Sequence, residues 1–87
     1  MSRKAKKILE QMRRNKAGWH SRDFHTLYLG FDFMRKEGRG SHTTFIHPDF
    51  PDIIEQIPRH KELGKSYARD AVKNIDLLLR RKKERED

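Results

Sequence analysis

Eighty-seven residues at 10.5 kDa suffice for one domain, since two halves would each be too small to hold a core. The chain has no cysteine, which excludes a disulfide framework, a thiolate nucleophile and a cysteine-based zinc site. With 33% apolar and 39% charged residues and a net charge of +8, it predicts a small core under a heavily solvated surface.

Taken in chain order, Ala5, Ile8, Leu9 and Met12 follow the i, i+3, i+4, i+7 spacing of an amphipathic helix over residues 3–14. Asn15-Lys16-Ala17-Gly18 stops it, with Gly18 suited to the left-handed position, and Trp19 is expected in or over the core. Ser21 is the expected cap of a second helix over 21–29, with Asp23 in its first turn, Phe24, Leu27 and Tyr28 on one face and Gly30 at its end. A strand through Thr26–Leu29 is the alternative. Phe31-Asp32-Phe33-Met34 alternates as a strand with both phenylalanines on one side. Lys36-Glu37-Gly38-Arg39-Gly40 reads as a polar turn, and the β-branched stretch His42–His47, closed by Pro48, as the returning strand of a hairpin. A turn over 48–52 leads into a third strand over 53–57, ended by Pro58. Ser66 is the expected cap of the last helix, with Tyr67, Ala68, Ala71, Val72, Ile75, Leu78 and Leu79 on one face. The order is α-α-β-β-β-α, an α+β domain over 1–79 with a three-stranded antiparallel sheet and helices on one face; 1–18 read as a helical extension, and the charged tail 80–87 is expected to fray.

The positive charge is unevenly spread. Residues 1–16 carry seven basic residues and one acidic, residues 80–87 five and three, and residues 17–79 nine of each. Within the balanced middle, Arg59, Lys61, Lys65, Arg69 and Lys73 cluster against only Glu62 and Asp70, with His60 beside them. At about 100° per residue, Lys65, Arg69 and Lys73 form a row along one edge of the last helix. This cluster is a better candidate for phosphate contact than the ends, which serve as solvated helix faces as readily as polyanion-binding arms.

Five histidines invite a metal reading, and their spacing argues against one. His42 and His47, five apart on a strand, point to opposite faces; His20 and His25 are about 140° apart on a helix. No metal or other cofactor is expected, and neither paired carboxylates nor a nucleophile elbow are present. Arg39-Gly40-Ser41-His42 differs, because it puts an imidazole at the exit of a glycine turn, where backbone can approach a ligand, flanked by a cation and a hydroxyl. A strand-initial histidine with only structural hydrogen bonds is the plainer reading of the same residues.

Gly30-Phe31, Arg35, Gly40-Ser41-His42, Phe45 and His47-Pro48 resemble the Gly-Ser-His segment of HicA-type toxins, and Ile57-Pro58, the basic loop and the helix from Ser66 to Leu79 resemble that family's second half. The likeness spans roughly residues 20–79. Thr43 stands where members often carry a second histidine or an aromatic residue, and the N-terminal helix is longer than in the shortest members. The resemblance implies a fold like that of double-stranded-RNA-binding domains, an mRNA interferase activity with His42 as the catalytic residue, and a HicB-type antitoxin as partner.

RNA supplies its own nucleophile, so a single histidine is chemically adequate. A 2′-OH attacks the adjacent phosphate in line, leaving a 2′,3′-cyclic phosphate and a 5′-OH. An imidazole of pKa near ~6.5 can take the proton, and nearby cations can offset the phosphoryl charge. The expected site is therefore His42 for catalysis, with Lys36, Arg39, Ser41, Arg59, Lys61, Lys65, Arg69 and Lys73 on the RNA. No apolar run approaches the roughly 20 residues of a membrane span and no signal peptide is apparent, so a cytoplasmic setting without membrane contact is expected. The alternatives are a non-catalytic RNA-binding module on the same fold and a protein whose sheet only binds a partner protein.

Overall fold

The computed structural model describes residues 2–38, 40–59 and 61–86; Arg39 and His60 lie outside them. Among the described residues, helices α1 (Arg3–Arg14) and α2 (Ser21–Gly30) precede strands β1 (Met34–Glu37), β2 (His42–Ile46) and β3 (Ile54–Pro58), and α3 (Lys65–Glu86) follows. The strands form one antiparallel sheet in the order β1-β2-β3. The architecture is the expected α+β arrangement.

Helix α1 has the expected limits, with its four apolar residues buried and Ser2 Oγ accepting from Ala5 N at 3.0 Å as the cap. It joins the same apolar cluster as α2, the sheet and α3, so residues 1–18 supply part of the core rather than an appendage. Gly18 takes the left-handed conformation at φ 80°, and Trp19 packs partly buried against the core. Phe24, Leu27 and Tyr28 of α2 are fully buried, as are Phe45 of β2, Ile57 of β3 and Ala68, Ala71, Ile75 and Leu78 of α3.

Several boundaries differ from expectation. His20, not Ser21, is the cap of α2: its N–H donates to the Asp23 carboxylate at 2.9 Å, half of a capping box. The helix is not stopped by Gly30. Asp32, at φ 71°, is the left-handed residue, and its N–H donates to Leu29 O while that of Phe33 reaches Tyr28 O, both at 3.1 Å. This Schellman pairing occupies Phe31–Phe33, so β1 begins only at Met34 and runs through Lys36 and Glu37. Gly30 is required for a different reason: a Cβ there would collide with Ala5 Cβ and Ser2 Oγ, where α1 crosses α2. Strand β2 ends at Ile46, β3 is shifted one residue to include Pro58, and α3 starts at Lys65, ahead of Ser66.

The largest departure is the tail. Residues 80–86 do not fray but continue α3. Arg81 pairs with Asp52 at 2.8 Å, Lys82 with Asp32 at 3.5 Å and Arg85 with Asp49 at 3.9 Å, while the Arg81 and Arg85 guanidiniums lie 5.8 and 5.3 Å from the Phe50 ring centre. These contacts tie the last turns of α3 to the loops on either side of the hairpin. No described helix is long and apolar enough to cross a membrane.

Candidate nucleic-acid interface

The alternation of β2 sorts its side chains. Thr43 and Phe45 are fully buried beneath the helices, while His42, Thr44 and Ile46 are only partly covered on the other face, on which no described helix packs. The pairing register extends that open face into three rows across the sheet. Met34, Ile46 and Ile54 make an apolar row at one end; Met34 and Ile54 are about half exposed, at 49% and 46%. Lys36, Thr44 and Gln56 make a polar row in the middle. His42, paired with Pro58, makes the last row, beside the hairpin loop, and there the face is partly closed, since Pro58 is buried.

Two glycines set the entry to β2. Gly38 N–H donates to His42 O at 3.0 Å, and a Cβ on Gly38 would lie 2.8 Å from that oxygen and 3.1 Å from Thr44 Oγ1. Gly40 is left-handed at φ 61°. Gly38 therefore allows the close approach of the loop to β2, while Gly40 supplies the left-handed turn that L side chains rarely adopt. The imidazole of His42 emerges half-covered onto the open face, one register step from the exposed ammonium of Lys36. Ser41 is exposed in the loop, and its carbonyl accepts from Arg59 N at 2.8 Å.

The expected basic residues do not gather around His42. Arg59 reaches to the helix side of the sheet, where its Nε donates to Thr43 Oγ1 at 3.3 Å, its Nη2 contacts His42 O at 3.5 Å, and its charge is paired with Glu37. Lys61 sits at the start of α2, in a small recess with His20, Ser21 and Arg22, and its carbonyl accepts from Ser21 N. Lys65 is exposed at the first position of α3. Arg69 and Lys73 are together as the helical spacing predicts, but they line an open groove of about 590 Å³ with Lys16, Arg80, Val72 and Leu77. Asp76 also lines that groove, and Arg13 neutralises it through a 2.8 Å contact. No strand residue borders this groove. Arg39 lies outside the described residues.

Two histidines escaped the functional reading. His47, beyond β2, is fully buried; its Nδ1 accepts from Asp49 N at 3.1 Å, and among the described residues its Nε2 has no partner. Burial, reinforced by Lys82, holds it below its ordinary value. His25 of α2 stands edge-on to Phe45 with ring centres 5.0 Å apart, and burial followed by the charges of Arg35 and Arg59 lowers it too. No spacing rule points to His25, because its neighbours come from three distant segments.

Among the described residues, no group of three or more histidine or carboxylate side chains is placed to hold a metal ion. Comparison of the chain with models of known protein families, with curated proteins and with solved structures finds no match.

Proposed function

We propose that this protein is a HicA-type toxin, an mRNA interferase that cuts RNA with His42 through attack of the ribose 2′-OH, without a metal. The observation that carries the reading is the place of His42: a partly exposed imidazole on the sheet face turned away from the helices, at the exit of a two-glycine loop and one row from Lys36. In this reading the imidazole takes the 2′-OH proton as the oxygen attacks phosphorus, and the 5′-oxygen leaves and is protonated in turn. Lys36 and Arg39 offset the phosphoryl charge and Ser41 hydrogen-bonds the strand. Arg59, Lys61, Lys65, Arg69 and Lys73 hold flanking phosphates. The partner is a HicB-type antitoxin carrying acidic residues that cover His42, and the setting is the cytoplasm.

The test is incubation of the purified protein with single-stranded RNA, and with DNA of the same sequence, in the presence of a chelator. RNA fragments ending in a 2′,3′-cyclic phosphate and a 5′-OH, with DNA untouched, are expected, because DNA lacks the nucleophile. RNA that is bound but left intact would replace this reading with that of a non-catalytic RNA-binding module.

A further inference from the structure

A second cluster lies on the helix side of the hairpin, and of its residues the His42 reading uses only Arg59. Arg35 and Glu37 of β1 pair with Phe45 and Thr43 of β2, so their side chains lie on the face that those two buried residues share. His25 sits over Phe45 from α2, with the two rings at 77°. Arg59 arrives from beyond β3, bonds Thr43 through Nε and pairs with Glu37. Arg35 and Arg59 thus share this side of the sheet with the imidazole, which remains partly open to solvent.

Of the carboxylates on this face, Glu37 is engaged by Arg59, and half-buried Glu55, beyond Phe45 in the same row, accepts from Asn74; among the described residues no carboxylate pairs with Arg35. Burial of the ring, and after it the charges of Arg35 and Arg59, favour a neutral His25, which keeps one ring N–H to donate and adds no further charge. Two planar guanidiniums beside a neutral imidazole suit an anionic group with two acceptor oxygens, and the two free oxygens of a backbone phosphate present that arrangement.

We propose that His25, Arg35 and Arg59 form an anion site that takes a backbone phosphate of bound RNA, on the opposite face of the hairpin from His42. The RNA source of that phosphate rests on the function proposed above; the anion site itself does not. The strand would then pass around the exposed edge of β1, touching both faces of the hairpin.

The experiment is a histidine NMR titration of the full chain with two probes, inorganic phosphate and a short 2′-O-methyl oligoribonucleotide that cannot be cut through its 2′ position. An anion seated between Arg35 and Arg59 favours the imidazolium, so the His25 midpoint should rise by about one unit with either probe, while that of His47 stays in place. Arg35→Gln, an exposed position on an edge strand, should abolish the rise and weaken oligonucleotide binding roughly fivefold. A rise with inorganic phosphate alone would overturn the RNA assignment, and no rise with either probe would overturn the site. Failure of the protein to cleave RNA would leave these shifts untouched. Their absence from a protein that does cleave RNA would remove the His25 site alone.

Discussion

His42 and His47, at the start of β2 and just past its end, lie in opposite surroundings. His42 faces outward beside a loop that Gly38 lets lie close to β2, while His47 is sealed against Phe33 and Phe50, with ring centres 5.2 and 5.6 Å away. The candidate residue was legible because its signal is local: Gly-Ser-His at the end of a hairpin loop. The surroundings were not, since Arg59 meets Glu37 across 22 residues and His25 meets Phe45 across the whole hairpin. His47 carries a pH prediction. Its folded-state pKa lies below the ordinary 6.5, chiefly through burial and then Lys82, with Arg85 acting in the same direction and Asp49 and Asp32 opposing. The folded protein thus binds fewer protons than the unfolded chain, and stability is full above pH 6.5 and declines as pH falls through it. Urea midpoints should be lower at pH 5.5 than at pH 7.5. His47→Asn, which can still accept from Asp49 N, should narrow that gap without closing it, because His25 titrates with the same sign. Equal midpoints at the two pH values would contradict the assignment.

The elements were readable where their determinants are local. The apolar spacing of α1 and the β-branched run of β2 each specify an element within a dozen residues. Sequence pattern misplaced β1 because Phe31 and Phe33 alternate as a strand would, whereas Asp32 in the left-handed conformation makes them the two sides of a helix-ending turn. It misread residues 80–86 because the partners of Arg81, Lys82 and Arg85 lie 29 to 50 residues away in the chain. Truncation after Leu79 distinguishes a frayed tail from this docked one. Exposed ion pairs contribute roughly 0–1 kcal/mol each and exposed cation–π contacts about 0.5–1 kcal/mol. Removing residues 80–87 should therefore cost about 2 kcal/mol, a fall in Tm of roughly 8–16 °C for a domain of this size. An unchanged Tm would mean that the last turns contribute nothing. At the crossing of α1 and α2, Gly30→Ala should destabilise by about 1–3 kcal/mol, the usual range for overpacking a filled site, read from a urea midpoint. A neutral result would show that α1 can shift on α2 without loss.

At the scale of the molecule, the helices cover one face of the sheet and leave the other open, and the positive charge is divided among separate surfaces. His42 and Lys36 share the open face, Arg35 and Arg59 hold the hairpin edge, and Arg69 and Lys73 belong to the groove between α3 and the end of α1. An RNA strand touching all three would release counterions at each, so affinity should fall steeply with salt, with a slope of roughly 0.7 per phosphate contact on a single strand. Changing Arg69 and Lys73 together to Gln should reduce that slope by about 1.4; an unchanged slope would take the groove off the RNA path. The catalytic claim itself is tested most directly by comparing purified wild-type protein with His42→Ala on single-stranded RNA with chelator present. The side chain is only partly buried and lies outside the apolar core, so the variant should keep the wild-type melting temperature within a few degrees. Its cleavage should drop by roughly 10²–10⁴-fold. Cleavage at the wild-type rate by a folded His42→Ala protein would contradict the account.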